Sequence, residues 1–323
     1  MTIEIAKNIY KTVVPLPNNP LRDINVYIIK GDRNLIIDSG FNRPECEEVL
    51  QAALNELDIK SADIFVTHLH SDHCGLVPKL VRPGCKIYAS ETDGELINFE
   101  VGNLYWQILD DLFLRYGFPK AEFGRNTDIH PGRKYVLENR LDFTYINEDD
   151  VLEYGGYHLH PIITPGHTPG MACLYDPDAK IFFCADHILG TITPNISVEI
   201  CDENPLRSYL ESLERVDKLE VDLLLTAHGT PVDDMHERIH ELKKHHKERL
   251  NEAESLLGDE WKNAYEVARD MTWEIDCKSW DDFPKPQKWF ATGEAISHLQ
   301  YLTSYGRTER KEVNGIYVYR KVR

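Results

Sequence analysis

The stretch Thr67-His68-Leu69-His70-Ser71-Asp72-His73 places three imidazoles and one carboxylate within six residues. That density of nitrogen and oxygen donors suits a borderline-soft divalent cation such as zinc. A lone histidine would read as a polar loop residue; four donors at this spacing do not. The apolar run Ile64-Phe65-Val66-Thr67 before them reads as a buried strand. Residues 71–80 read as the first turns of a helix, with Gly75 and Pro78 inside it. A strand that ends in this cluster delivers its donors to one point.

Three more strand ends carry the same chemistry. Residues 157–163 run into Thr164-Pro165-Gly166-His167-Thr168-Pro169-Gly170, residues 181–184 end at Ala185-Asp186-His187, and residues 221–226 end at Ala227-His228-Gly229. The candidate ligands are therefore His68, His70, Asp72, His73, His167, Asp186 and His228, each at or just past the carboxyl end of an apolar strand. Seven donors are too many for one tetrahedral ion and suit a two-metal site. Residues 34–37 likewise end at a carboxylate, Asp38-Ser39-Gly40. His187 is extra to this set and has no assigned role.

The elements that must position these groups are legible from periodicity. Residues 25–29 and 34–37 read as paired strands around Gly31-Asp32. Val49, Leu50, Ala53, Leu54 and Leu57 give residues 46–57 helical spacing, and 86–89 is another short strand. Residues 91–126 break this rhythm with Phe99, Tyr105, Trp106, Phe113 and Tyr116, and predict a helical insertion. Its aromatics form either a local core or a lid over the site. Residues 172–175 and 181–184 flank a turn-forming loop and read as a hairpin. Asn204-Pro205 caps a helix reaching to about residue 219, with Leu206, Leu210, Leu213 and Val216 facing inward.

Other histidines read as bland. His158 and His160 alternate with apolar neighbours and belong to an exposed strand face. Residues 235–257 predict a long charged helix whose His236, His240, His245 and His246 lie on a solvated face. Cys74 reads as a small buried residue. The tail, residues 263–323, predicts helices over 264–271 and 292–304, then a hairpin over 308–320 with an Asn314-Gly315 turn. That order resembles a winged-helix module, and the chain is locally basic from Arg307 on.

Together, the HxHxDH run, the Pro-Gly-His-Thr-Pro-Gly turn, the Asp after a hairpin strand and the Ala-His-Gly end resemble the metallo-β-lactamase-fold hydrolases. Within these, the chain is most similar to the glyoxalase-II-type branch, over roughly residues 10–232. The resemblance implies an α/β fold, an αββα sandwich with a small C-terminal helical, winged-helix-like domain. It implies a catalytic domain over 1–235 and a long helix plus winged-helix-like domain over 236–323. It implies two divalent metal ions, zinc first, with iron or manganese as alternatives. His68, His70 and His167 would hold one ion, Asp72, His73 and His228 the other, and Asp186 would bridge. A bridging hydroxide would attack a small thioester, ester or lactone, with Asp72 as the catalytic group that orients it and passes on a proton. Asp38 would act behind the ligands. The alternatives are a metal-dependent nuclease using the tail, a mononuclear iron sulfur dioxygenase, and a non-catalytic sensor. A glutamate replaces the residue at His70 in flavodiiron-type members, which separates this chain from them.

The totals set outer bounds. Of 323 residues, 42% are hydrophobic, enough for a sizeable core. The formal net charge of -18 argues against nucleic acid as the default partner, so a small-molecule substrate is expected. Seven cysteines without CxxC spacing read as reduced thiols in a cytoplasmic protein. No N-terminal apolar segment reads as a signal peptide, and no run of about 18 apolar residues suggests a membrane span. A homodimer formed through the C-terminal domain is a further expectation.

Overall fold

The computed structural model describes residues 2–123 and 130–322. A seven-stranded sheet opens the chain, with strands in sequence order: β1 (Thr2–Ala6), β2 (Ile9–Pro15), β3 (Asp23–Ile29), β4 (Leu35–Ile37), β5 (Asp63–Phe65), β6 (Ile87–Ser90) and β7 (Phe143–Ile146). The first four strands pair antiparallel, and β4 through β7 run parallel. The second sheet runs β12-β11-β10-β9-β8, built from β8 (Leu152–Tyr154), β9 (Tyr157–Ile163), β10 (Ala172–Asp176), β11 (Ile181–Ala185) and β12 (Leu223–Thr226). Its β11–β12 pair is parallel and the others antiparallel.

Side-chain alternation assigns the two faces of each sheet. Leu35, Ile37, Phe65 and Tyr88 from the first sheet meet Leu174, Ile181, Phe183 and Leu225 from the second in one apolar cluster between the sheets. Ile36, Ile64 and Ile87, and Phe182, Cys184 and Leu224, point the other way into the helical layers. That is the αββα sandwich, with helices α1 (Pro44–Glu56), α2 (Ser71–Cys74), α3 (Val77–Leu80), α4 (Glu91–Glu100), α5 (Asn103–Arg115), α6 (Pro131–Tyr135) and α7 (Pro205–Val216) on its flanks and edges.

The helix expected over residues 71–80 is in fact two. Gly75 leaves no room for a side chain, since a methyl there would lie 2.4 Å from Ser71 O and 3.0 Å from Gly40 O. The chain packs its backbone against the loop after β4 at that point, and α3 restarts with Pro78 in its first turn. In α7, Asn204 caps as expected, but Tyr209 and Ser212 share the buried face and Leu210 is only partly buried.

The insertion is helical as expected in α4 and α5; residues 124–126 lie outside the described residues. Its aromatics are neither a purely local core nor a free lid. Tyr105, Trp106, Leu109 and Phe113 form the buried face of α5, and Phe113 stacks on Trp289 at 3.5 Å. Trp289 belongs to the C-terminal elements, which are α8 (Met235–Ser255), α9 (Ala264–Asp270), α10 (Lys285–Ser304) and a three-stranded sheet of β13 (Lys262–Asn263), β14 (Thr308–Val313) and β15 (Ile316–Lys321). Asn314 and Gly315 both take positive φ between β14 and β15, as a two-residue hairpin turn requires. His236 is exposed and bonds Asp217, but His246 is not on a solvated face: it is buried against Tyr209 and His298. The helical period carries it inward with Ile239, Leu242 and Leu250. No helix among the described residues is long and apolar enough to cross a membrane.

Candidate metal centre

All seven donors come together at one edge of the sandwich. They follow the carboxyl ends of β5, β9, β11 and β12, where the parallel pairs leave their loops side by side. They fall into two groups, His68, His70, His167 and Asp186, and Asp72, His73 and His228, with ligand atoms in each group within 4.8 Å of one another. His70 Nδ1 lies 3.1 Å from both His68 Nε2 and His167 Nε2. His73 Nε2 and His228 Nε2 are 3.3 Å apart, and His228 Nε2 is 3.5 Å from Asp72 Oδ2.

Asp186 stands between the groups. Its Oδ2 lies 3.5 Å from His167 Nε2 and 4.0 Å from His68 Nε2, whereas Oδ1 lies 3.6 Å from both His73 Nε2 and His228 Nε2. Oδ1 is buried and has no hydrogen-bond partner among the described residues. A buried, unpartnered carboxylate oxygen facing clustered imidazole nitrogens is costly unless a cation sits among them. The donor chemistry therefore fits divalent ions.

Metal ligands must be deprotonated, and the two groups differ in this. Burial by itself would lower His73 and His228, but the carboxylates of Asp186 and Asp72, with Asp38 at His73, outweigh it and raise both rings. An ion in that group would therefore displace protons, whereas the first group is already neutral at His68 and His70. Burial and the neighbouring His73 and His70 rings push His68 well below the ordinary imidazole range, and burial with His167 takes His70 down to about 3. Burial by itself would raise Asp72, but His73 and His228 outweigh it and hold the carboxyl at about 2. The same balance, with His228 and His73 opposing burial, keeps Asp186 well below the usual carboxylate range.

The remote nitrogens of these rings are anchored, which fixes their orientation. His73 Nδ1 lies 2.8 Å from Asp38 Oδ2, His167 Nδ1 2.9 Å from Asn195 O, and His228 Nδ1 2.7 Å from Asp23 O. Asp38 holds positive φ at the end of β4 and also accepts from Thr67 N and Thr67 Oγ1. His68 Nδ1 is 3.0 Å from Thr67 Oγ1. Asp38 thus sits behind the ligands, as expected.

Sequence reasoning missed Asp93. Ser90 caps α4, and its Oγ accepts from Asp93 N. The Asp93 carboxylate turns inward and accepts from Leu69 N at 2.9 Å, Thr168 Oγ1 at 2.6 Å and Gly170 N at 2.6 Å. It ties the loop carrying His68 and His70 to the loop carrying His167. In sequence it looks like any acid in a first helical turn. His187 is buried beside Tyr209, neither ring nitrogen has a close hydrogen-bond partner among the described residues, and burial, against the Ser212 backbone, drives it down to about 3, so the ring is neutral. Cys74 is buried too, and burial pushes its thiol well above the ordinary range. The pair His236 and His240 joins neither donor group. Residues 130–135 lie close to the site: α6 packs on α2, and Tyr135 stacks on Phe41 at 4.2 Å.

The model of the Metallo-beta-lactamase superfamily matches residues 19–228, which include every one of these donors. The chain belongs to the metallo-beta-lactamase superfamily. Among solved structures, it is similar to a metallo-beta-lactamase family protein from Thermus thermophilus, with TM-score 0.79 and 26% identity over 99% of this chain and 100% of that one. A beta-lactamase domain protein from Burkholderia ambifaria superposes with TM-score 0.81 at 23% identity, covering 99% of this chain and 95% of that one. Both likenesses extend through the C-terminal elements. Curated relatives of this superfamily member include the probable metallo-hydrolase YqjP of Bacillus subtilis, 22% identical over 77% of this chain and 80% of that protein. The atrochrysone carboxyl ACP thioesterase of Emericella nidulans is 24% identical over 69% of this chain and 57% of its own length. The lactamase-like protein aptB of the same organism is 22% identical over 73% of this chain and 61% of its own length. The chain thus spans about three fifths of the fungal relatives it matches.

Proposed function

We propose that this protein is a dinuclear metal-dependent hydrolase acting on a small thioester, ester or lactone. The observation that carries the reading is Asp186, whose two carboxylate oxygens face two separate donor groups. His68, His70 and His167 would hold one ion, Asp72, His73 and His228 the other, and Asp186 both. The nitrogen-rich set favours zinc, with iron or manganese able to occupy it. Bound there, two divalent ions supply a water nucleophile of lowered pKa and an electrophile for a carbonyl oxygen.

The chain's own residues set up the rest. Asp72 stays ionised through neutral pH, so it can orient a nucleophilic water and accept its proton. Asp38 and the carbonyls of Asn195 and Asp23 hold the imidazoles in the tautomer that leaves the inward nitrogen free. The burial of the site strengthens every such interaction. A thioester ranks first because relatives named as ACP thioesterases share the fold region.

A nuclease reading has less support from the tail. Arg307 and Lys321 pair with Glu254, and Arg320 pairs with Glu309. Arg310 lies over the Tyr317 ring and Lys311 over Trp261, so these cations serve the local packing.

The test is hydrolysis of a panel of acyl thioesters, aryl esters and lactones before and after chelation, with zinc or manganese added back. Expected is activity on at least one class that is lost on chelation and returns with about two ions per chain. Activity untouched by complete metal removal would overturn the proposal.

A further inference from the structure

The third ligand of the first donor group, His167, is oriented by a segment that the C-terminal helix grips. Three consecutive residues make the connection. The Asn195 carbonyl accepts from His167 Nδ1 at 2.9 Å. The next carbonyl, Ile196 O, accepts from Ser297 Oγ of α10 at 2.8 Å, the shorter of two contacts that share this hydroxyl proton, the other being Gly293 O of the same helix at 3.0 Å. The next residue, Ser197, lies against Gly293, one turn earlier on α10, where a methyl would come within 2.0 Å of Ser197 Oγ. Ile196, Gly293 and Ser297 are all buried. Trp289, Gly293 and Ser297 share one helical stripe, and Trp289 is clamped on Phe113 of the insertion. The segment carrying Asn195 therefore has little freedom to move away from His167.

We infer that α10 is part of the metal centre: Ser297 and Gly293 are positioning residues that set the His167 ring through residues 195–197. This rests on the two-ion reading above and adds to it a role for the C-terminal elements. Asn195 uses a backbone carbonyl, so no side-chain change at 195 replaces it; the position of that carbonyl is set by what holds its neighbours. Partners behind a ligand typically change metal affinity about 10–100-fold, and a group one bond further out should change it about 3–10-fold. The effect should be confined to the ion held by His68, His70 and His167, because His73 and His228 are anchored by Asp38 and by Asp23 O instead.

The experiment is competition for zinc between the full-length chain and a chromophoric chelator, read as two dissociation constants, with the cobalt(II) absorption spectrum as a second readout. Ser297→Ala should weaken one ion about 3–10-fold, leave the other unchanged and alter the cobalt spectrum. Ser297→Thr, which keeps the hydroxyl, should restore both. Thr292→Ala is the control: Thr292 is equally buried on α10 and bonds back within the helix to Lys288 O, as Ser297 does to Gly293 O, but among the described residues it has no bond outside the helix to match that of Ser297 to Ile196 O. It should lower thermal stability without shifting either constant. Two unchanged constants in Ser297→Ala, or equal weakening in Ser297→Ala and Thr292→Ala, would overturn the inference alone. A wild-type chain that takes up no divalent ion would overturn the metal-centre reading, and this inference with it.

Discussion

Asp38 Oδ2 and His73 Nδ1 lie 2.8 Å apart, on an imidazole whose other nitrogen faces Asp72 and Asp186. The same carboxylate accepts from Thr67 N and Thr67 Oγ1, and Thr67 Oγ1 in turn reaches His68 Nδ1. One residue at the end of β4 thus aligns a ligand of each donor group. Asparagine also tolerates the positive φ found at Asp38, so Asp38→Asn should fold. Its amide has no negative charge and one oxygen where two are used. We expect zinc affinity to fall about 10–100-fold, measured by calorimetric titration, with the circular dichroism spectrum unchanged. Unaltered affinity would remove Asp38 from the site.

Asp186→Asn should be more severe. It leaves His68, His70, His73, His167 and His228 around a neutral amide, with Asp72 as the remaining carboxylate among the seven donors. Metal content should drop from two ions to one or fewer. The rate of hydrolysis should fall at least about 10³-fold, since charge stabilisation of the reaction depends on both ions. Metal analysis of the purified variant and a single-substrate rate decide it; a variant that keeps two ions would refute the bridging role.

Asp93→Ala tests the tie between the two ligand loops. Removing the carboxylate strands three buried donors, Leu69 N, Thr168 Oγ1 and Gly170 N. Each orphaned donor costs about 1–3 kcal/mol, and the loops can relax, so the expected loss is about 3–5 kcal/mol in urea unfolding of the metal-free chain. A loss under about 1 kcal/mol would mean that the loops are held by other contacts.

Glu199 gives a pH-dependent effect. Burial pushes its carboxyl from 4.5 up to about 7, against the hydrogen bond from Tyr105. The folded chain therefore keeps a proton there that the unfolded chain has lost between those values. Stability from this group is complete below about pH 4.5 and is lost as pH rises through about 7. Glu199→Gln, which can still accept from Tyr105, should stabilise by about 1–2 kcal/mol at pH 8, after discounting for partial exposure, and by little at pH 5. Urea unfolding at both pH values checks the sign; equal effects at both would refute the account.

Much of the site was legible because its donors sit at the ends of apolar strands. His68 through His73, His167, Asp186 and His228 all follow runs whose burial is plain from composition, and parallel pairing must bring such ends together. Asp93 was not legible, since its role depends on two loops far from it in sequence meeting at one carboxylate. His246 was misread because its neighbours Lys243, Lys244 and Lys247 suggest a wet helix, whereas Tyr209 and His298 cover that one position. The helix over residues 71–80 failed at Gly75, where another backbone, invisible in a single window, takes the space of a side chain. The aromatic insertion was recognisable as buried, but its partner Trp289 lies some 180 residues away in sequence.

The two donor groups are each drawn from both halves of the sandwich. His68 and His70 follow a strand of the first sheet while His167 and Asp186 follow strands of the second; Asp72 and His73 come from the first and His228 from the second. Neither half of the chain can therefore retain an ion with its full complement of ligands by itself. On the two-ion reading, occupancy would be a report on assembly: a chain leaving the ribosome with its sheets undocked would lack both complete donor groups, and it would gain them at the moment both halves closed on each other.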